Sequence, residues 1–136
     1  MSRKENFTIG IEEEYMICDP ISGELINKAD QIISLVPENL KERFSYELLL
    51  SEIESNTSIS SSVDEAVAKL AKNRNLLKKI GNKLDFKIGI SGTHPTAHPL
   101  SQNFVNNESY NWVTNELKYY ANQNITFALH IHIGIN

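Results

Sequence analysis

The chain has 136 residues, 40% of them apolar and 22% charged, with a net charge of −4, one cysteine and no apolar run near the ~20 residues that span a bilayer. These values exclude a dense cationic nucleic-acid surface, an internal disulfide framework and a helical membrane anchor. One globular domain over residues 1–136 is expected, in a reducing, cytoplasmic compartment, since Met1 to Asn6 carries no apolar signal region.

Phe7 to Cys18 alternates as a strand, with Phe7, Ile9, Ile11, Glu13, Tyr15 and Ile17 on one side and Thr8, Gly10, Glu12, Glu14 and Met16 on the other. Glu12 and Glu14 then project from one face roughly 7 Å apart. Like charges at that range repel, so the pair marks either a cation site or an acidic face left to water. Asp19 to Glu24 is a Pro/Gly turn, and a short return strand around Glu24 to Asn27 would complete a hairpin. Ala29 to Leu35 predicts a short helix stopped by Pro37, followed by a polar connection over Glu38 to Arg43. In Ser45 to Ser60 the second half alternates, which places Glu52, Glu54 and Asn56 on one strand face or at a solvated edge.

Ser62 to Leu84 carries the clearest helical pattern. Ser62 and Glu65 form a capping box, and Val63, Ala66, Val67, Leu70, Leu77, Ile80 and Leu84 share an inner face. Lys69, Lys72, Arg74, Lys78, Lys79 and Lys83 form a cationic outer face, expected to be solvated. Phe86 to Ile90 reads as a strand that runs into the loop Ser91 to Pro99, where His94 and His98 are ligands or surface histidines. Glu108 to Asn122 predicts a second helix, with Tyr110, Val113, Leu117 and Tyr120 inward and Trp112 and Tyr119 left over.

Ile125 to Asn136 alternates without a break. Ile125, Phe127, Leu129, Ile131, Ile133 and Ile135 form one row, expected to pack hard on a core, and His130 and His132 share the other with small residues. Neutral imidazoles on an open face make good metal ligands. Glu12, Glu14, Glu54, His130 and His132 thus provide carboxylates and imidazoles without thiolates, which suits Mg²⁺ or Mn²⁺ better than structural zinc. Such cations bridge phosphate oxygens, and the chain has neither a Walker A nor a Gly-x-Gly-x-x-Gly loop, so a nucleotide would be held chiefly through metals.

Gly10-Ile11-Glu12-Glu13-Glu14-Tyr15 with Asp19-Pro20, Ile53-Glu54 with Thr57, Gly92-Thr93-His94-Pro95 and His130-Ile131-His132-Ile133-Gly134 together resemble the carboxylate-amine ligases of the glutamate-cysteine ligase type 2 family. The resemblance covers essentially the whole chain. It implies an α+β fold like that of glutamine synthetase, with a curved antiparallel sheet, helices on one face, and the metals and nucleotide on the other. It implies ATP as a substrate and Mg²⁺ or Mn²⁺ as cofactor, in a reaction that phosphorylates the side-chain carboxylate of glutamate. The amino group of cysteine then attacks the acyl phosphate to give γ-glutamylcysteine, the glutathione precursor.

By the same resemblance Glu12 and Glu14 each serve a different metal, Glu54 is a further ligand, and His130 binds the metal nearest the transferred phosphoryl group. His132 lies near the nucleotide phosphates, and Thr93 and His94 border the substrate pocket. Glu13 falls on the opposite face of its strand and is expected to be structural, paired with a lysine. The chain departs from the family pattern at Thr96, Ser109 and Ala128, which bears on the substrate more than on the fold. Family members run to well over twice this length. The chain is therefore expected to be the N-terminal portion of the catalytic domain, forming a homo-oligomer or associating with the missing C-terminal half. The alternative is a non-catalytic metal- or nucleotide-binding module, or a truncated partner subunit.

Overall fold

The computed structural model describes residues 7–106, 112, 116, 120, 123 and 125–135. Among them the alternating segments form an antiparallel sheet around β1 (Thr8–Cys18). α1 (Ala29–Leu35) follows with the bounds expected from the sequence, then a 3₁₀ turn over Glu38–Arg43, the two-residue β2 (Phe44–Ser45) and β3 (Glu52–Asn56). α2 (Val63–Leu84), β4 (Lys87–Gly89) and β5 (Leu129–Gly134) complete the elements. The return strand expected near Glu24 is reduced to one bridge between Leu25 and Cys18, because the chain leaves almost at once for α1.

β1 is central. β3 runs along one side of it, with β2 beyond, and the other side is shared by β4 at Met16 to Cys18 and β5 at Thr8 to Glu13. The sheet is open, with helices packed on it, an α+β architecture. Tyr15, Ile17 and Ile53 are buried with Leu77 and Ile80 of α2, and Ile11 packs with Ala66 and Leu70. Glu12, Glu14, Glu54, Asn56, His130 and His132 take the opposite face, because directly paired residues of antiparallel strands point the same way.

The ends of α2 are set by local chemistry. Ser62 Oγ accepts the N–H of Glu65 at 3.2 Å, and the Glu65 carboxylate accepts the N–H of Ser61 at 2.8 Å, one residue earlier than a standard capping box. At the other end Asp85 adopts a left-handed φ of 55°, and Lys28 Nζ donates to the carbonyls of Leu84 and Asp85, where a cation suits the negative end of the helix dipole.

Several side chains differ from expectation. Arg74, exposed as expected for the cationic face, also reaches the sheet and forms a two-pronged ion pair with Glu13, to which the Tyr15 hydroxyl also donates. Glu13 is therefore structural, but its partner is an arginine, whose planar fork matches a carboxylate as a lysine cannot. Val63 and Val67 are exposed, whereas Ala66 and Leu70 of that stripe pack with Ile11 of β1.

The apolar row of the last segment also divides. Ile125 and Phe127 are buried with Met16, Leu48 and Leu49, whereas Leu129, Ile131, Ile133 and Ile135 are 57%, 60%, 50% and 81% exposed. α2 packs on β1, and the apolar side chains of β5 remain half or more exposed among the described residues. Most of the helix expected over Glu108 to Asn122 lies outside the described residues, including Tyr110, Val113, Leu117 and Tyr119. Trp112 is helical and exposed, and Tyr120 is exposed rather than inward. Among the described residues no helix is long and apolar enough to cross a membrane.

Candidate metal centre

The alternation of β1 and β5 brings Glu12 opposite His130 and Gly10 opposite His132. Both imidazoles converge on one oxygen: His132 Nε2 lies 3.0 Å and His130 Nδ1 3.2 Å from Glu12 Oε2. The rings stand edge to face, 6.4 Å apart. Gly10 lies opposite His132 and puts no side chain beside it. The hydrogen bond from His132, followed by that from His130, holds the Glu12 carboxyl below its ordinary range despite the opposing effect of partial burial.

Two residues further along β1, Glu14 faces Glu54 across β1 and β3. Glu47, on the segment between β2 and β3, joins them, so that one ligand atom from each of Glu14, Glu47 and Glu54 lies within 4.8 Å of the others. Their orientations are fixed by neighbouring donors. Glu14 Oε2 accepts the Ala128 N–H at 2.6 Å, Glu47 Oε2 accepts the Leu48 N–H at 2.9 Å, and Glu54 Oε1 accepts the Ser45 hydroxyl at 2.8 Å and the Asn56 amide at 3.1 Å. Sequence reasoning missed Glu47, which sits outside any alternating or helical run. The signal that could have found it is its place as the last acid before the strand that carries Glu54.

Behind this cluster lies Glu52, nearly inaccessible, with its Oε1 unpartnered. Burial, reinforced by the charges of Glu14 and Glu47, pushes its carboxyl up to about 9. Burial and the charges of Glu14 and Glu54 also raise Glu47. Carboxylates gathered this closely either take up protons or draw a counter-charge from a bound cation. Among the described residues no lysine or arginine pairs with Glu14, Glu47, Glu52 or Glu54. An orphaned buried oxygen, a set of oxygen and imidazole donors, and the absence of thiolates from both clusters fit a hard divalent cation of the Mg²⁺ or Mn²⁺ type.

The structure thus separates the sequence-predicted residues into two neighbouring groups, Glu12 with His130 and His132, and Glu14 with Glu54, to which Glu47 is added. Thr93 and His94 occupy the loop after β4, and their polar atoms hold that loop in place. Thr93 Oγ1 donates to the Ile125 carbonyl at 2.7 Å. His94 Nδ1 accepts the N–H groups of Thr96 and Ala97, so Nε2 carries the proton donated to the Gly23 carbonyl at 2.9 Å. His98 is exposed. Where β4 and β5 part along β1, a cleft of about 420 Å³ opens between Glu14 and the Glu13–Arg74 pair, lined also by Ser91 and Gly92 of this loop and by Phe127 and Ala128.

The model of the Glutamate-cysteine ligase family 2 (GCS2) matches residues 8–136. Among curated proteins the chain is 33% identical over 129 residues to a protein of Rubrobacter xylanophilus provisionally named glutamate--cysteine ligase 2-1, covering 95% of this chain and 34% of that one. Proteins of Roseiflexus sp. and Herpetosiphon aurantiacus, provisionally named glutamate--cysteine ligase 2, show the same identity and coverage. The chain spans about a third of the length of the curated relatives it matches.

Proposed function

Since this chain belongs to the glutamate-cysteine ligase family 2, we propose that it forms the metal-bearing part of an ATP-dependent carboxylate-amine ligase that joins glutamate to cysteine. The γ-carboxylate of glutamate attacks the terminal phosphorus of ATP and ADP leaves. The amino group of cysteine then attacks the acyl phosphate carbon, phosphate departs, the nitrogen loses a proton, and an amide remains. Bound Mg²⁺ or Mn²⁺ would neutralise charge developing on the phosphoryl oxygens.

Each residue of the site has a role in this reading. Glu12 and His130 hold one cation, and Glu14, Glu47 and Glu54 hold the other. His132, the more exposed imidazole, would face the nucleotide phosphates. The loop of Thr93 and His94 frames the edge of the substrate cleft through its backbone. The observation that carries the proposal is the pair of adjacent acid clusters on one sheet face, without basic partners, in a chain of this family.

The test is ADP release dependent on both glutamate and cysteine, measured beside Mn²⁺ titration. Glu12→Gln and His130→Ala are each expected to weaken Mn²⁺ binding at least about tenfold while leaving the circular dichroism spectrum unchanged. Unchanged titration curves for both variants would sink the metal assignment. A second reading is a metal-binding module without turnover, because the two acid groups can hold a cation whether or not phosphoryl transfer follows. Mn²⁺ binding with no ADP release, even when the complementary part of a relative is supplied, would select it.

A further inference from the structure

On the helix side of the sheet, away from the acid groups, α2 and β4 enclose a groove of about 360 Å³. Its floor is apolar: Leu77 and Phe86 are buried and Ile88 is half-buried, all three packed in the main core. The floor is fixed by a close approach of the chain to itself. The Phe86 N–H donates to the Gly81 carbonyl at 3.1 Å, and a Cβ at Gly81 would meet the Phe86 carbonyl at 2.6 Å, so only glycine lets the chain return this near the helix. The rim is cationic. Arg74 and Lys78 stand one turn apart on α2, Lys87 joins them from β4, and two asparagines complete a lining that contains no acid. Arg74 is committed to Glu13, whereas Lys78 and Lys87 have no acidic partner among the described residues. The chain carries 17 acidic residues against 13 basic ones, so an acid-free cluster of cations runs against its overall balance.

An apolar floor with unpaired cations at its rim is complementary to a molecule that has an apolar body and an anionic head. We propose that this groove binds a small organic anion, with a ring or short acyl chain on Leu77, Phe86 and Ile88 and its carboxylate, sulfonate or phosphate against Lys78 and Lys87. Lysines are compact point charges, so they set the sign of the head and leave its shape open. The concave form selects a free small molecule, since pockets of this volume enclose one, whereas a membrane presents a flat surface. A peptide strand would need a longer edge than the three residues of β4. The site goes beyond the ligase reading and depends on neither metal nor nucleotide. Arg74 connects the two faces, because it lines both this groove and the cleft that opens toward Glu14.

The test titrates the chain with octanoate and, separately, with naphthalenesulfonate, followed by NMR without metal or nucleotide. Each should shift the Leu77 and Ile88 methyl groups and the Phe86 ring saturably. Acetate, which lacks the apolar body, and naphthalenemethanol, which lacks the charge, should each bind at least about tenfold more weakly. The double substitution Lys78→Gln and Lys87→Gln should weaken octanoate binding at least about tenfold, and Lys78→Arg with Lys87→Arg should retain it. Both positions are exposed, so these variants keep the melting temperature of the parent. Ile131→Lys on β5 should leave octanoate binding unchanged. Shifts confined to the exposed isoleucines of β5, equal binding of either control compound, or full affinity in the glutamine variant overturns the proposal. So does a groove that ignores both anions and responds only to phosphatidylglycerol vesicles or to a glutamate-rich peptide, since that gives it to a membrane or a protein. ADP release plays no part in these readouts, so the ligase reading and this site stand or fall separately.

Discussion

Glu13 and its neighbours Glu12 and Glu14 lie side by side on β1, yet strand alternation gives them opposite environments. Glu13 is 4% exposed and its charge is met inside the protein by Arg74, with Tyr15 donating a further hydrogen bond. That bond and, above all, burial raise the tyrosine hydroxyl far above its ordinary range. Glu14, across the sheet, gathers further carboxylates, and Glu12 meets only imidazoles. An acid satisfied by a cation of its own chain holds the fold together. An acid surrounded by other acids draws its counter-charge from solution.

The largest effect that would sharpen this contrast is on the helix side. Arg74→Ala leaves Glu13 buried without its partner and should cost about 3 kcal/mol in urea unfolding, at the low end for a buried pair because the arginine is 43% exposed. Replacing the pair together, as Arg74→Met with Glu13→Gln, should recover most of that loss. A double variant no more stable than the single one would break the contrast.

On the other face the signs reverse. Glu52 is held neutral in the folded, metal-free chain, so the unfolded state releases its proton first as pH rises. Stability contributed by this group is therefore lost between its ordinary value near 4.5 and about 9. Glu52→Gln should raise stability by on the order of 2 kcal/mol at pH 7 in the presence of a chelator, with no gain below pH 4. A gain independent of pH would show that packing, not charge, is responsible.

Glu47→Gln should weaken Mn²⁺ binding at least about tenfold and leave the metal-free melting temperature equal or higher, by relief of repulsion. If it lowers stability instead, Glu47 belongs with Glu13 as a structural acid. The smallest effect calibrates the others. Ser62→Ala removes the cap of α2, away from both acid groups, and should cost about 1 kcal/mol with no change in metal binding.

The residues that were legible from sequence are those whose placement is decided locally. Alternation placed Glu12, Glu14, His130 and His132 on one face, Pro37 ended α1, and Ser62 began α2. Glu47 was not legible, because the segment before β3 has no periodicity and its approach to Glu14 and Glu54 is a tertiary event. Arg74 looked like its lysine neighbours, since helical spacing does not reveal that an acid of the sheet lies within its reach. The row Leu129 to Ile135 misled for the opposite reason. A perfect apolar alternation states that a face wants cover, and the covering element has to come from elsewhere in space.

One contact of Glu14 carries a consequence for ion choice. With Oε2 already accepting the Ala128 N–H at 2.6 Å, this carboxylate is poorly placed to grip a cation through both oxygens. Calcium readily uses such two-oxygen grips and large, irregular shells, whereas magnesium prefers single oxygens in a tight octahedron. A backbone amide of the strand approach thus disfavours the larger ion before any cation arrives, and competition of Ca²⁺ against Mg²⁺ for the site would measure that preference.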